Sequence, residues 1–366
     1  MNRTIGIVST NYSCPGLGSL VEKRPPASVP FGGRYRLMDF ALSNMVNAGI
    51  RTVGLITPYY YRSILDHVGS GKAWDLDRKE GGLFILPGTV FGFKEEHTRF
   101  LFRDIIHNDT FLERGDGDYI LFSSGDLVYN IDYRPMIEQH ELEGKDVTLL
   151  YKVMPEGEAH KGYYLDINDA NKVTALTASG EGSNLFLESF LINRSCLRKL
   201  VRDFKPLGHL DLMTVIAQNL SVLDVGAYAF DGYVGFTESY ADYMKTSQDL
   251  LREDVYTALF HREQSIRTQA HDTPPALYAP GAKVRGSIIT AGSIVEGAVE
   301  KSVVSRSGRI EAGAVVKNCV LMDNCVVRAG AQLENVICDK NVTILPDTCI
   351  RGTAERPVVI RRAETI

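Results

Sequence analysis

Gly286-Ser287-Ile288-Ile289-Thr290-Ala291-Gly292 opens a series of four segments that align residue for residue. The others are Lys301-Ser302-Val303-Val304-Ser305-Arg306-Ser307, Asn318-Cys319-Val320-Leu321-Met322-Asp323-Asn324 and Asn335-Val336-Ile337-Cys338-Asp339-Lys340-Asn341, recurring every 15 to 17 residues. Between them lie small-residue steps such as Gly313-Ala314-Val315-Val316, Gly330-Ala331-Gln332-Leu333 and Asp347-Thr348-Cys349-Ile350, so each repeat holds three short strands separated by tight turns. That rhythm predicts a triangular parallel β-helix. An aliphatic residue points inward on each face, a small neighbour lets the chain turn, and stacked coils bury a core that no single coil could bury alone. An antiparallel sandwich would want polar turn clusters at a longer beat of about 8 to 12 residues.

Upstream of the repeats, residues 254–279 begin with charged residues and end in Asp272-Thr273-Pro274-Pro275, whose prolines oppose a helix and mark a linker. Earlier still, Thr4 to Val8, Thr52 to Thr57, Tyr119 to Phe122 and Val147 to Val153 read as buried strands, each followed by a plausible helix such as Leu37 to Asn47, closed by Gly49. Strand alternating with helix predicts a doubly wound, mostly parallel, Rossmann-like α/β sheet with ligands at the carboxyl ends of its strands. The expected domains are therefore 1–253, a linker over 254–279 and the β-helix over 280–366.

Of the 366 residues, 44% are hydrophobic and 23% charged, the balance of a folded globular chain rather than a disordered one. A net charge of −5 excludes a general nucleic-acid binder, which needs an excess of Lys and Arg to neutralise phosphates. The apolar stretch Thr4 to Val8 is too short for a signal peptide and no apolar run approaches a membrane span, so a cytoplasmic protein with no membrane role is expected. Six cysteines, Cys14, Cys196, Cys319, Cys325, Cys338 and Cys349, show no zinc-ligand spacing and are expected as reduced, small, buried side chains.

Val29-Pro30-Phe31-Gly32-Gly33-Arg34-Tyr35-Arg36, followed by Asp39-Phe40-Ala41-Leu42-Ser43-Asn44 and Asn47-Ala48-Gly49-Ile50, closely resembles glucose-1-phosphate adenylyltransferase, also called ADP-glucose pyrophosphorylase. Ser123-Ser124-Gly125-Asp126 with Tyr129 to Tyr133, and Val234-Gly235 with Glu238-Ser239-Tyr240, fit the same family. The resemblance spans nearly the whole chain and implies a nucleotidyltransferase sheet joined to a C-terminal left-handed β-helix. Enzymes of that family let a sugar phosphate attack the α-phosphorus of ATP. Such chemistry needs backbone amides, cationic side chains and a magnesium ion held by carboxylates.

Each of these parts departs from the family pattern. The Gly-Gly-x-Gly-x-Arg phosphate loop is replaced by Ser9-Thr10-Asn11-Tyr12-Ser13-Cys14-Pro15, which offers no glycine, no arginine and a proline without an amide donor. Nearby Gly16-Leu17-Gly18 reads as an ordinary turn. Arg24-Pro25-Pro26-Ala27-Ser28 has proline at the family's lysine, Phe100-Leu101-Phe102-Arg103 puts bulk where Gly-Thr-Ala-Asp begins a helix, and Thr177 to Gly182 lacks the Glu-Lys-Pro motif. Asp126 remains as a vestigial magnesium carboxylate, but Tyr233 replaces the second. No catalytic set is intact, no metal is expected on this chain, and a strand-end turn is the plain alternative for Asp126.

Scaffold segments kept while site elements are lost resemble the GlgD-type non-catalytic or regulatory subunit. The resemblance implies a hetero-oligomer, expected to be a tetramer, with a catalytic subunit that uses Mg2+, while this chain requires no cofactor and has little or no activity alone. An active nucleotidyltransferase with an atypical site is the alternative. A hexapeptide acyltransferase is disfavoured because its coil histidine is missing: no histidine follows His271. End coils of the β-helix would expose strand edges suited to assembly. Lys23, Arg24, Arg34 and Arg36 near one end and Arg351, Arg356, Arg361 and Arg362 near the other are candidates for binding an anionic sugar-phosphate effector between the domains, since the resemblance implies that the two regions face each other across the domain junction and guanidinium forks suit phosphate. Solvated or glutamate-paired surface arginines are the alternative.

Overall fold

The computed structural model describes residues 4–89, 98–178, 182–207, 209–261 and 263–366. Two units form, and each gathers separated stretches of chain: Met1–Ser13, Met38–Tyr233 and Arg262–Arg267 in one, Cys14–Leu37, Val234–His261 and Thr268–Ile366 in the other. This division differs from the sequence reading, because residues 14–37 and 234–261 group with the β-helix. The charged start of the expected linker is helical over Glu253–Leu259, where Val255 and Leu259 are buried, and Pro274-Pro275 follow in extended chain.

The first unit is built on a nine-stranded sheet. Its main path runs Val225–Ala229, Val147–Val153, Asn184–Asn193, Tyr119–Ser124, Thr4–Ser9, Thr52–Thr57, Gly82–Pro87, with the hairpin Tyr164–Ile167 and Val173–Thr177 branching from Asn184–Asn193. All neighbours on the path are parallel except Asn184–Asn193, which is antiparallel to both of its own. The four strands expected from sequence are all present. Thr4–Ser9, Thr52–Thr57 and Tyr119–Ser124 are buried along nearly their whole length, and strands covered on both faces read as continuous apolar runs rather than alternating ones. Helix α1 (Met38–Asn47) lies against Thr4–Ser9 at Gly6, where a Cβ would come within 2.6 Å of Met45 Sδ. Gly49 beyond the helix has φ +86°, which lets the chain reverse into the next strand.

Strand Asn184–Asn193 changes register between Phe186 and Phe190, and Glu188 there has φ 48°. A bulge of this kind re-aims the side chains that follow it. Phe190 then stacks on Phe122 at 4.8 Å and meets Phe100 edge-on at 5.2 Å, inside a core that includes Ile5, Ile120, Leu149 and Ile192.

The second unit contains the β-helix. Its three sides are five-stranded parallel sheets with in-register neighbours from successive coils. Each side therefore carries an aligned column of inward side chains, Val295, Ile310, Val327 and Ile344 on one, Val299, Val316, Leu333 and Ile350 on the second, Ile289, Val304, Leu321, Cys338 and Ile360 on the third, while the first-coil residues in register with the first two columns, Tyr278 and Val284, are exposed. Corners at equivalent repeat positions are left-handed, with φ 76° at Gly292, 56° at Ser307, 61° at Asn324 and 62° at Asn341. Glycine enters that region without strain, and asparagine tolerates it better than most residues.

Five of the six cysteines are buried, but Cys349 is exposed. It opens strand Cys349–Arg351, whose inward position is taken by Ile350. Among the described residues no helix is long and apolar enough to cross a membrane.

Leu333, 1% exposed and stacked between Val316 and Ile350, tests the columns. Leu333→Ala is expected to lower stability by ~2–5 kcal/mol through lost burial and a residual cavity, against less than ~0.5 kcal/mol for Val315→Ala on the outer face. Urea unfolding of the two variants measures the difference.

Candidate functional site

The parallel pairing of Thr4–Ser9 with Tyr119–Ser124 ends with Ser9 opposite Ser124, and the Gly125 amide then donates to Ser9 O at 3.1 Å. This bond sets Asp126 at the carboxyl ends of the two central strands, where an open α/β sheet places its ligands. The loop leaving Ser9 is bonded to its own unit. Thr10 donates both its amide and its hydroxyl to Ile56 O, at 3.0 and 2.6 Å. Asn11 Nδ2 donates to Asp104 Oδ2 at 2.6 Å, while Asp104 Oδ1 accepts from the Thr89 amide and hydroxyl at 2.6 and 2.7 Å. Tyr12 is buried, with the Arg99 guanidinium 4.6 Å above its ring centre.

Arg99 Nη2 lies 3.4 Å from Asp126 Oδ2, and both side chains are about nine-tenths buried, at 11% and 8% exposure. The resemblance to magnesium-using enzymes makes this carboxylate a test of fit. The residues present do not fit the ion: a fixed cation already faces Asp126, and Tyr233 offers a phenol instead of a second carboxylate. Magnesium requires an oxygen shell of near-octahedral geometry. Among the described residues no three His, Cys, Asp or Glu side chains are grouped to hold a metal. Tyr233 stands beside a turn held by Lys152, whose Nζ donates to the carbonyls of Asp231 and Gly232 at 3.3 and 2.8 Å.

Where the family would open a helix with glycine, Phe100 and Phe102 are buried in the aromatic core. Of Thr177 to Gly182, the stretch that stands in place of the Glu-Lys-Pro motif, residues 179–181 lie outside the described residues.

The motif residues that carry the resemblance support the scaffold. Asp39 is fully buried and bonds His67 Nε2 at 2.6 Å, with His67 packed against the Trp74 ring at 5.8 Å. Asn44 ties α1 to the loop after Asp126 by donating to Tyr129 O at 3.0 Å and accepting from the Ile131 amide at 3.3 Å. Below that loop the hydroxyls of Ser123, Tyr129, Tyr133 and Ser189 form a buried chain with steps of 3.4, 3.1 and 2.9 Å. Burial pushes both phenols up from their ordinary values, Tyr133 strongly, so they act as neutral donors.

All eight basic candidates belong to the second unit. Arg24 is buried and committed: its Nη2 is 2.6 Å from Asp339 Oδ2, at side-chain exposures of 8% and 4%, and its Nε donates to Leu20 O at 2.7 Å. Arg36 is half-buried and donates to Ser28 Oγ at 2.7 Å. Lys340, which the sequence reading missed, joins these two. Burial pulls its ammonium below the usual lysine range against the pull of Asp323 at 2.6 Å, and the charges of Arg36 and Arg24 lower it further. The available signal lay in the repeats, where Asp339 and Lys340 fill positions held by Thr290 and Ala291 in the first coil.

Exposed Arg361 reaches Glu22 at 3.9 Å, beside exposed Lys23. The remaining candidates are placed differently. Arg351 lies on the sheet of Leu333 and donates to Gln332 Oε1 at 3.4 Å, Arg356 sits in the following turn, and Arg362 is exposed after the last strand. Exposed Arg34 covers the Tyr35 ring at 5.3 Å, while its carbonyl accepts from Arg306 Nη2 at 2.8 Å.

A mostly parallel α/β sheet with polar side chains at its central strand ends, on a chain that continues into three-sided hexapeptide coils, defines the nucleotidyltransferase class. The family model "Nucleotidyl transferase" matches residues 17–246, and "GlmU-like, C-terminal hexapeptide" matches 278–356, in keeping with a left-handed β-helix. Similar proteins include the glycogen biosynthesis protein GlgD of Bacillus subtilis, 30% identical over 99% of this chain and 96% of its own, and that of Geobacillus stearothermophilus, 34% identical over the same shares. The glucose-1-phosphate adenylyltransferase of Fervidobacterium nodosum is 32% identical over 96% of this chain and 86% of its own. The chain belongs to the GlgD-type ADP-glucose pyrophosphorylase family.

The Arg24 and Asp339 pair is expected to behave as a buried ion pair. Asp339→Ala should cost ~3–5 kcal/mol by leaving a guanidinium uncompensated, and Arg24→Ala/Asp339→Ala should cost clearly less than the sum of the two single changes. Denaturant unfolding of the three variants checks it; additive losses would show that the two side chains are not coupled.

Proposed function

We propose that this chain is a regulatory, catalytically inactive subunit for glucose-1-phosphate adenylyltransferase in glycogen biosynthesis, acting on a catalytic partner that carries the Mg2+ and makes ADP-glucose and pyrophosphate from ATP and glucose 1-phosphate. The observation that carries this reading is the loop after Ser9. Where triphosphate would need free amides and a cation, Thr10 and Asn11 are bonded to Ile56 and Asp104, and Tyr12 is buried beneath Arg99. Removing one donor of a transition-state cradle typically costs ~100- to 1,000-fold in rate, so lacking the loop and the second metal carboxylate together leaves little turnover.

Assembly with the partner is assigned to the β-helix. Its first coil presents Leu277 and Tyr278, 59% and 50% exposed, on a strand bonded on one side only. Such an edge supports pairing or packing with a second chain. The purified chain alone is expected to form ADP-glucose at background rate, yet to co-elute with a catalytic subunit and change its rate or effector response. Tyr278→Glu should weaken co-elution. Robust ADP-glucose formation by the pure chain would overturn the inactive reading.

We further propose that an anionic sugar-phosphate effector binds the second unit at Arg36, Lys340 and Arg361, with Lys23 beside them. The guanidinium of Arg36 held by Ser28, the Lys340 ammonium and the exposed Arg361 beside the same coil together suit a phosphate ester. With glucose 6-phosphate and inorganic phosphate as probes, Arg36→Ala and Arg361→Ala are each expected to reduce the effector response of the mixed complex. An unchanged response in both variants would mean that these arginines are solvated surface.

A further inference from the structure

Asp126 holds the strand-end position at which a nucleotidyltransferase would present a carboxylate to metal, and this chain places a cation of its own there. We propose that Arg99 is a built-in counter-cation that occupies Asp126 in place of a divalent ion and so closes the strand-end site to metal.

Four features fix Arg99 in that role. Its amide donates to Asp211 Oδ2 at 2.9 Å, and its carbonyl accepts from Ser9 Oγ. Asp211 is itself immobilised, because it also accepts from the amides of Phe100 and Met213, both at 2.8 Å, the latter as the N-cap of helix Leu212–Gln218. The next side chain, Phe100, is wedged edge-on between Phe122 and Phe190 at 5.8 and 5.2 Å. Finally, the guanidinium rests over Tyr12 at 4.6 Å while reaching Asp126 at 3.4 Å. A cation–π contact is strongest when it is desolvated, as it is here.

The backbone of Arg99 is therefore clamped from two elements and its neighbour is locked in the core, so its side chain starts from a fixed point beside Tyr12 and Asp126. Asp126 Oδ2 thus already faces a cation, and a divalent ion brought to it would meet the guanidinium as a like charge. Arg99 also explains how Asp126 persists after its partner carboxylate has become Tyr233. Left without a counter-charge, it would be a costly buried anion.

This inference rests on the non-catalytic reading, but its test reads metal binding and thermal stability rather than ADP-glucose, so the two can fail separately. Mn2+ is the probe for binding, by electron paramagnetic resonance. Wild type and Asp126→Asn are expected to bind it identically, with no site dependent on Asp126. Arg99→Met is expected to melt below wild type and to recover ~2–4 °C in 10 mM MgCl2 relative to NaCl of equal ionic strength, because the ion now answers the exposed carboxylate. That recovery should vanish in Arg99→Met/Asp126→Asn. Binding of Mn2+ by wild type that is lost in Asp126→Asn overturns the proposal, as does an Arg99→Met protein indifferent to Mg2+. Should Arg99→Met fail to fold, the comparison of wild type with Asp126→Asn still decides it.

Discussion

A carboxylate removed from water must be answered by a cation or by donors, and in this protein the answer recurs at the places that organise each unit. Asp126 is answered by Arg99, Asp39 by His67, Asp211 by three amides, and Asp339 by Arg24. An unanswered buried charge costs several kcal/mol, so each of these acids dictates where a distant stretch of chain must lie. Asp211 brings residues 99 and 100 to the start of a helix. Asp339 brings the segment containing Arg24 onto the third face of the β-helix.

The same requirement separates scaffold from chemistry. In the motif stretches that resemble catalytic enzymes, Asp39, Asn44 and Tyr129 are engaged in internal bonds that hold α1 and the strand-end loops in place. Such residues are retained by folding whether or not a reaction follows. At the positions quoted from the phosphate and metal motifs, other than Asp126, this chain carries bulky, phenolic or internally bonded side chains. Family likeness in this chain is thus chiefly likeness of framework.

The repeats made the β-helix legible, because one inward aliphatic per face and one small or amide residue per corner leave a periodic trace that no other architecture shares. Four of the nine sheet strands were plain as apolar runs, while the antiparallel Asn184–Asn193, the edge strands and the hairpin were not. What the sequence concealed was long-range pairing. Nothing local marks Arg99 as the partner of Asp126, and Arg24 and Asp339 are separated by almost the whole chain. Lys340 was missed for the same reason: its role comes from Arg36 and Arg24 beside it in space, although its departure from the repeat was visible.

The interleaving of the two units bears on how the chain matures as it is made. Residues 14–37 leave the ribosome early, yet Asp339, the partner of Arg24, comes from the last hundred residues, and Tyr243, which packs on Phe31, from more than two hundred residues later. Until those are synthesised, Ala27, Val29 and Phe31, all buried in the finished protein, have no completed unit to enter. Domains generally fold as units during synthesis, so a unit assembled from both ends of the sequence must wait for translation to finish. A nascent or prematurely ended chain would present this apolar segment to chaperones and proteases, which makes complete synthesis a checkpoint for its survival.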